Sequence, residues 1–414
     1  MSDESVDLIC MDPPYYNNVQ YAELSDFFYV WMKRTLKDLY PSIFIRRLTN
    51  KIDEAVANPD RDGSSKKAKN TYETMMGEIF SECRRLVRNN GMMTLMFTHK
   101  KQDAWEALTR SIIEKGWIIT SCVPVSSESS QSMNIKGMAA AVSSIFITCR
   151  KRLSEFEEPA SWIGFGGTGV AQRIRQAVAE GLKEFAVLKL NPVDEMVASY
   201  GRALGVLSEQ WPVIDGDEVV GPIKAMSEAS RVVAEHQIKR ITGGRLQVED
   251  LVPEAAMALT LFGIYGLSEF PYDEALNLSR SLNIRLEGKS GGYIADGRFI
   301  GINTAARGRH RAQSSQADET GFHAPLVRTG SKLRLAKPGE RDPRRLDNPQ
   351  TDWDILHGMI MAFRQGDIPV ARGYLDRQDA SRRGVVLDLL GVWAAEAPDE
   401  ALRKEAQAML FGLK

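Results

Sequence analysis

The chain has 414 residues, too many for one ordinary core, and its 43% hydrophobic and 26% charged content is that of a folded globular protein. Lys and Arg number 53 against 54 Asp and Glu, so no global positive field advertises nucleic acid, and any such contact must come from local basic patches. Cys10, Cys83, Cys122 and Cys149 form no Cys-x-x-Cys pair, which argues against a zinc ribbon, and the opening MSDESVDLIC lacks the charge and apolar core of a leader.

Val6 to Met11 reads as a short buried parallel strand that stops at Asp12-Pro13-Pro14. Glu23 to Leu39 reads as a helix with Leu24, Phe27, Phe28, Trp31 and Leu36 near one core-facing side. Lys51 to Lys69 is polar and reads as a surface loop. Tyr72 to Val87 predicts a helix closed by Asn90-Gly91, and Met92 to Phe97 a second buried strand. Ala104 to Glu114 predicts the next helix. Trp117 to Val125 and Ala139 to Cys149 follow as strands joined by a loop carrying Glu128 and Asn134. The expectation is α/β with a largely parallel sheet, then a mostly helical region from about Gly169. Arg307 to Arg345 is basic and loop-rich, and Asp352 to Arg364 and Val385 to Leu413 return to helical spacing. There is no internal repeat. The expected domains are 1–152, 153–300, 301–350 and 351–414. Three of the cysteines sit in apolar strand-like runs, where a reduced buried thiol is expected, as in a cytoplasmic protein with no membrane span.

The chemistry-bearing segment is Asp12-Pro13-Pro14-Tyr15, placed at the carboxyl end of an α/β strand, where such folds put ligands. An exocyclic amino group on a nucleobase is a poor nucleophile, because its lone pair is delocalised into the ring. A carboxylate and a backbone carbonyl that accept its two hydrogens free that lone pair. Two prolines stiffen the turn and remove competing donors, and an adjacent ring can stack on a base taken out of the duplex. Asp12, Pro13, Pro14 and Tyr15 are the expected catalytic residues. The plainer alternative is a rigid strand-end turn.

Asp12-Pro13-Pro14-Tyr15-Tyr16-Asn17-Asn18-Val19, followed by Tyr21-Ala22-Glu23-Leu24-Ser25-Asp26-Phe27-Phe28-Tyr29-Val30-Trp31, closely resembles the large adenine-specific DNA methylases that carry a Zn-ribbon. The similarity continues through Asn58-Pro59, Phe97-Thr98-His99-Lys100, Ala104-Trp105-Glu106, Ser127-Glu128-Ser129 and Ser143-Ser144 to Cys149-Arg150-Lys151. Weaker likeness runs from Asn191-Pro192-Val193-Asp194 to the segment Asp352–His357. Asn17 departs from the family, where an Asp is expected. The resemblance implies a Rossmann-like S-adenosylmethionine-dependent methyltransferase that flips a DNA adenine and serves restriction, modification or defence. A cytosine N4 enzyme is the near neighbour, since the same tetrapeptide presents either amino group. A non-catalytic DNA-binding or assembly subunit is the alternative from another class.

In that family the glycine-rich cofactor turn and the Zn-ribbon precede the Asp-Pro-Pro-Tyr segment. Here only Met1 to Ser5 precede the strand, so the expectation is either a partner, a separately encoded half carrying both, or a chain that is a fragment of a longer gene. Phe165-Gly166-Gly167-Thr168-Gly169 matches a cofactor turn locally, but reads better as a linker opening the helix Val170 to Leu182. Tyr16, Tyr21, His99 and Lys100 are further candidates for substrate contact. Lys66, Lys67 and Lys69, and the clusters Arg307, Arg309, Arg311 and Arg341, Arg344, Arg345, are candidates for phosphate contact. No metal site is expected.

Overall fold

The computed structural model of the chain describes residues 1–17, 19–97, 102–126, 143–153, 158–188, 190, 192–282, 284, 286, 300–302, 325–329 and 332–413. It is a mixed α/β protein with small mixed sheets and a helical C-terminal region. Two compact units arise. One comprises Met1–Val125, Ser143–Ile174 and Gly201–Ala225, and the other includes Arg175–Tyr200 and Met226–Lys414. Among the described residues no helix is long and apolar enough to cross a membrane.

The first unit holds a four-stranded sheet in the order β1-β2-β4-β3. Its strands are β1 (Val6–Met11), β2 (Val87–Phe97), β3 (Trp117–Ser126) and β4 (Ser143–Lys151). β1 runs parallel to β2, whereas β4 runs antiparallel to it, so the sheet is mixed rather than largely parallel. The strand composition expected for a parallel core is met only on one side. In β2, Gly91, Met93, Leu95 and Phe97 are buried while the residues between them are half-buried, the period-two signature of one covered face. β1 is the edge, and Leu8 and Cys10 lie exposed on it, so the expectation of a buried strand fails for its position in the sheet and not for its direction.

Helix α1 (Tyr21–Leu36) follows β1, and then α2 (Pro59–Asp62) and α3 (Ser65–Leu86). The segment expected as polar loop therefore contains one short helix and the start of another. Asn58 caps α2 by accepting from the Asp60 and Arg61 N–H groups, Gly63 (φ 82°) ends it, and the Ser64 side chain caps α3. Ala68, Tyr72, Met76, Phe80 and Cys83 recur every three or four residues along α3 and are buried against β2 and α4 (Gln102–Glu114). Asn90-Gly91 does not close that helix. The chain passes from Leu86 straight into β2, where the register slips between Val6↔Val87 and Leu8↔Met92. Gly91 lies inside the slip, and a Cβ there would stand 2.7 Å from the Asp7 carbonyl. Only glycine lets the two backbones approach that closely.

The side of α1 expected in the core is the outward one: Leu24, Phe27, Phe28 and Trp31 are 64%, 67%, 65% and 56% exposed, and no residue of the helix is buried. Polar anchoring sets this orientation. Asp26 accepts from the Thr49 hydroxyl (2.6 Å) and pairs with Lys51 (2.7 Å), while the Tyr29 hydroxyl (2.9 Å) and the Lys33 ammonium (2.5 Å) donate to the Arg46 carbonyl. These bonds turn the opposite side of the helix onto residues 46–51 and leave the apolar stripe facing out.

A separate three-stranded sheet in the same unit joins β5 (Ala160–Ser161), β6 (Val213–Asp215) and β7 (Glu218–Val219), with β5 parallel to β6. Between β5 and β6 run α5 (Val170–Leu188) and α6 (Pro192–Glu209), and after β7 comes α7 (Pro222–Ile241).

The second unit contains α8 (Pro253–Tyr265), almost wholly buried, and a sheet ordered β8-β11-β10-β9. Its strands are β8 (Phe270–Pro271), β9 (Ile300–Ile302), β10 (Leu326–Thr329) and β11 (Lys332–Leu335), and α9 (Tyr272–Ser281) follows β8. The helices α10 (Pro343–Asp347), α11 (Asp352–Asp376), α12 (Ala380–Glu396) and α13 (Glu400–Leu413) complete it. The Phe262 ring stacks on Trp393 at 4.9 Å between α8 and α12. Beside them the fully buried Arg341 guanidinium pairs with Asp354, which also accepts from Arg345 at 3.1 Å. Two of the three arginines expected to meet phosphate here are thus committed to a core carboxylate, and only Arg344 is exposed. Arg307, Arg309 and Arg311 lie outside the described residues, as do Glu128 and Asn134.

Candidate active site

β1 ends at Met11, opposite Leu95, and delivers Asp12-Pro13-Pro14-Tyr15 to the carboxyl ends of the parallel pair. Asp12 is exposed, Pro13 is buried, and Pro14 and Tyr15 are half-buried. A rigid dipeptide thus anchors in protein while the carboxylate ahead of it faces solvent.

Two hydrogen bonds converge on the Pro14 carbonyl: the Tyr72 hydroxyl of α3 donates to it at 3.0 Å, and the Tyr16 N–H at 2.9 Å. That oxygen is engaged by two donors of the protein itself. Tyr16 turns the chain with φ 55°, and its own carbonyl accepts from the Ala57 N–H at 3.0 Å. Its ring is buried edge-on against Tyr72 at 5.2 Å, so this expected substrate contact serves to hold the loop instead. The Glu54 carboxylate accepts from the Ala22 N–H at 2.9 Å at the start of α1, and the Asn58 amide reaches Gln20 at 3.3 Å. The motif loop is fastened at its middle and at its exit.

The Tyr15 ring stands edge-on to Phe97 at 5.5 Å, and Phe97 in turn edge-on to Trp105 at 4.9 Å. This aromatic row braces the Tyr15 ring against β2 and α4. Burial pushes the Tyr15 phenol well above its ordinary value, helped by hydrogen bonding to the Asp12 carboxylate, by that charge, and by nearby Tyr21. Asp12, Tyr15 and Tyr21 are therefore neighbours, with Tyr21 half exposed at the first position of α1. His99 and Lys100 lie outside the described residues.

No family model, no curated protein and no solved structure matches this chain. The assignment of the site therefore stands on its residues and geometry.

Lys69 is occupied: its ammonium pairs with Glu106 at 2.6 Å, so of the three lysines expected near phosphate only Lys66 and Lys67 are exposed. The segment Phe165–Gly169 forms a 3-10 turn that opens α5. Added Cβ atoms at Gly166 or Gly167 would meet nothing, whereas one at Gly164 would stand 2.5 Å from the Gly169 nitrogen. The glycines that matter here close the turn on itself, and the turn follows β5 rather than a strand of the β1 sheet.

Sequence reasoning passed over Tyr72, Glu54 and Phe97 as parts of the site. Tyr72 carried a usable signal: a tyrosine at a buried helix position needs a partner for its hydroxyl.

Proposed function

We propose that this chain is the target-binding half of a DNA amino-methyltransferase, with adenine as the base and S-adenosylmethionine as the methyl source. The reading rests on one observation above the others. An exposed Asp12 carboxylate stands at the carboxyl end of a parallel strand, on a loop whose Pro14 carbonyl is held by Tyr72 and whose Tyr15 ring sits beside it.

In this reading Asp12 and the Pro13 carbonyl accept the two hydrogens of a flipped-out amino group, and Tyr15 stacks on the ring. Acceptance of both hydrogens localises the nitrogen lone pair and stabilises the positive charge that develops on it. The scaffold contributes chiefly by orientation: the acceptors are prepositioned, so little reorganisation is left to the reaction itself. Cytosine carries a comparable amino group and remains the near alternative as target.

The cofactor is assigned to polypeptide outside these 414 residues, whether on a partner or on a longer form of the same chain. The glycine turn in this chain opens α5 away from the β1 sheet, and among the described residues β1 presents an unpaired edge with Leu8 and Cys10 exposed, the place where further strands would join. The same two features favour the second reading, an assembly subunit that binds DNA without reacting.

The test is transfer of tritiated methyl groups from S-adenosylmethionine to DNA by this chain together with the polypeptide encoded immediately upstream of these residues, supplied as a partner or as part of one longer chain, followed by nucleoside analysis. N6-methyladenine is expected, and Asp12→Ala should lower its formation at least about a hundredfold. Full activity in that variant would refute the assignment of the site. Titration of S-adenosylmethionine into the chain alone should give no heat of binding, and tight binding would remove the need for a second half.

A further inference from the structure

The outward stripe of α1 has no partner within the described residues, and its make-up specifies one. Tyr21, Leu24, Phe28, Trp31 and Met32 recur along the side opposite Ala22, Asp26 and Lys33, and each is 47% exposed or more. Phe27 lies on the shoulder of the stripe, edge-on to Phe28 at 5.3 Å. An apolar patch of this kind on a folded domain marks an interaction surface.

We propose that this stripe is a dimerisation seam that receives α1 of a second copy of the chain, antiparallel, about a two-fold axis beside Phe28. The charged flank carries the argument. Glu23 and Arg34 are both exposed and lie eleven positions apart, three helical turns within about 20°, so they sit on the same side of the stripe. When two helices pack antiparallel about a two-fold axis, each flank meets its own counterpart. Glu23 of one copy then faces Arg34 of the other, and the pairing occurs twice. The same axis places Leu24 of one helix at the level of Trp31 to Thr35 of the other, and brings the two Phe28 rings together. Arg34 is held ready over the Trp31 ring at 5.3 Å.

Other occupants fit less well. Glu23 and Asp26 balance Lys33 and Arg34 along α1, so the helix offers no net positive charge to a phosphate backbone or an anionic bilayer. A parallel pairing about an axis along the helices would set this flank against the opposite one, where Ser25 and Met32 carry no charge, and would leave Glu23 and Arg34 without a counterpart. The antiparallel second copy satisfies the apolar stripe and both charges. It is independent of the methyl-transfer reading, and neither depends on the other.

Sedimentation of the purified full chain over roughly 1 to 100 µM tests it. The expected limit is twice the chain mass of 46.2 kDa. Phe28→Asp should give a monomer with unchanged circular dichroism, since the side chain it replaces is exposed. Glu23→Arg and Arg34→Glu should each weaken the dimer about tenfold, and the two together should restore it. A monomeric wild-type chain, open-ended association, a Phe28→Asp dimer, or a double swap without recovery would each overturn the proposal. So would a monomeric chain whose stripe takes up a foreign polypeptide or a lipid vesicle.

Discussion

The Tyr72 hydroxyl donates to the Pro14 carbonyl at 3.0 Å, linking the buried side of a helix to a loop fifty-eight positions earlier in the chain. The bond ties the stiffest part of the motif to the buried side of α3. Through it the position of Asp12 depends on the core.

Tyr72→Phe removes that donor and leaves the ring in place. Pro14 keeps the Tyr16 N–H, so the expected stability loss is about 1 kcal/mol, read by thermal unfolding. Methyl transfer by the assembled enzyme should fall further, about tenfold in kcat/KM, because a small displacement of the loop misaligns both acceptors. Equal, small effects on stability and activity would show that the bond serves packing alone.

Tyr15 separates its ring from its hydroxyl. Tyr15→Phe keeps the stacking surface and should bind an adenine-containing oligonucleotide nearly as well as the wild type. Tyr15→Ala should weaken binding by about 1–3 kcal/mol. The raised phenol stays protonated through the neutral range, so activity should show no loss from its ionisation up to about pH 10. Unchanged binding by Tyr15→Ala would remove the stacking role.

His357 predicts a pH dependence of the second unit. Burial holds its imidazole well below its ordinary value, and the adjacent Arg341 and nearby Arg364 push the same way. The Arg341 guanidinium lies 3.2 Å from Nδ1. The folded state therefore keeps His357 neutral where the unfolded chain would protonate it. Stability is unaffected above the ordinary value of about 6.5 and declines as the pH falls below it, by about 1.4 kcal/mol per pH unit from this group. His357→Asn retains an acceptor for Arg341 and should flatten the unfolding profile between about pH 6.5 and 5. An unchanged slope would place the proton uptake elsewhere.

The local signals of the sequence were sufficient for the elements that need only their own residues. The apolar run Val6–Met11 ending in two prolines gave a strand that stops at Asp12, and the spacing of Ala68, Tyr72, Met76 and Phe80 gave a helix with one buried side. They were insufficient at Asn90-Gly91, where a helix-ending pair by composition lies inside a strand. The reason is a close approach to Asp7 that involves a segment more than eighty residues away.

Periodicity determined which residues of α1 share a side, while tertiary contacts decided which side faces out. Leu24, Phe28 and Trp31 fall on one stripe in any helix of this sequence. Only the bonds from Asp26, Tyr29 and Lys33 to residues 46–51 turned that stripe to solvent. The same division holds at the motif. The order of residues made Asp12-Pro13-Pro14-Tyr15 rigid, because proline restricts its own backbone wherever it stands. Which carbonyl is engaged, and which tyrosine is buried, depended on Tyr72 and Ala57 arriving from elsewhere, and hydrogen bonds between distant segments leave no periodic trace in the chain.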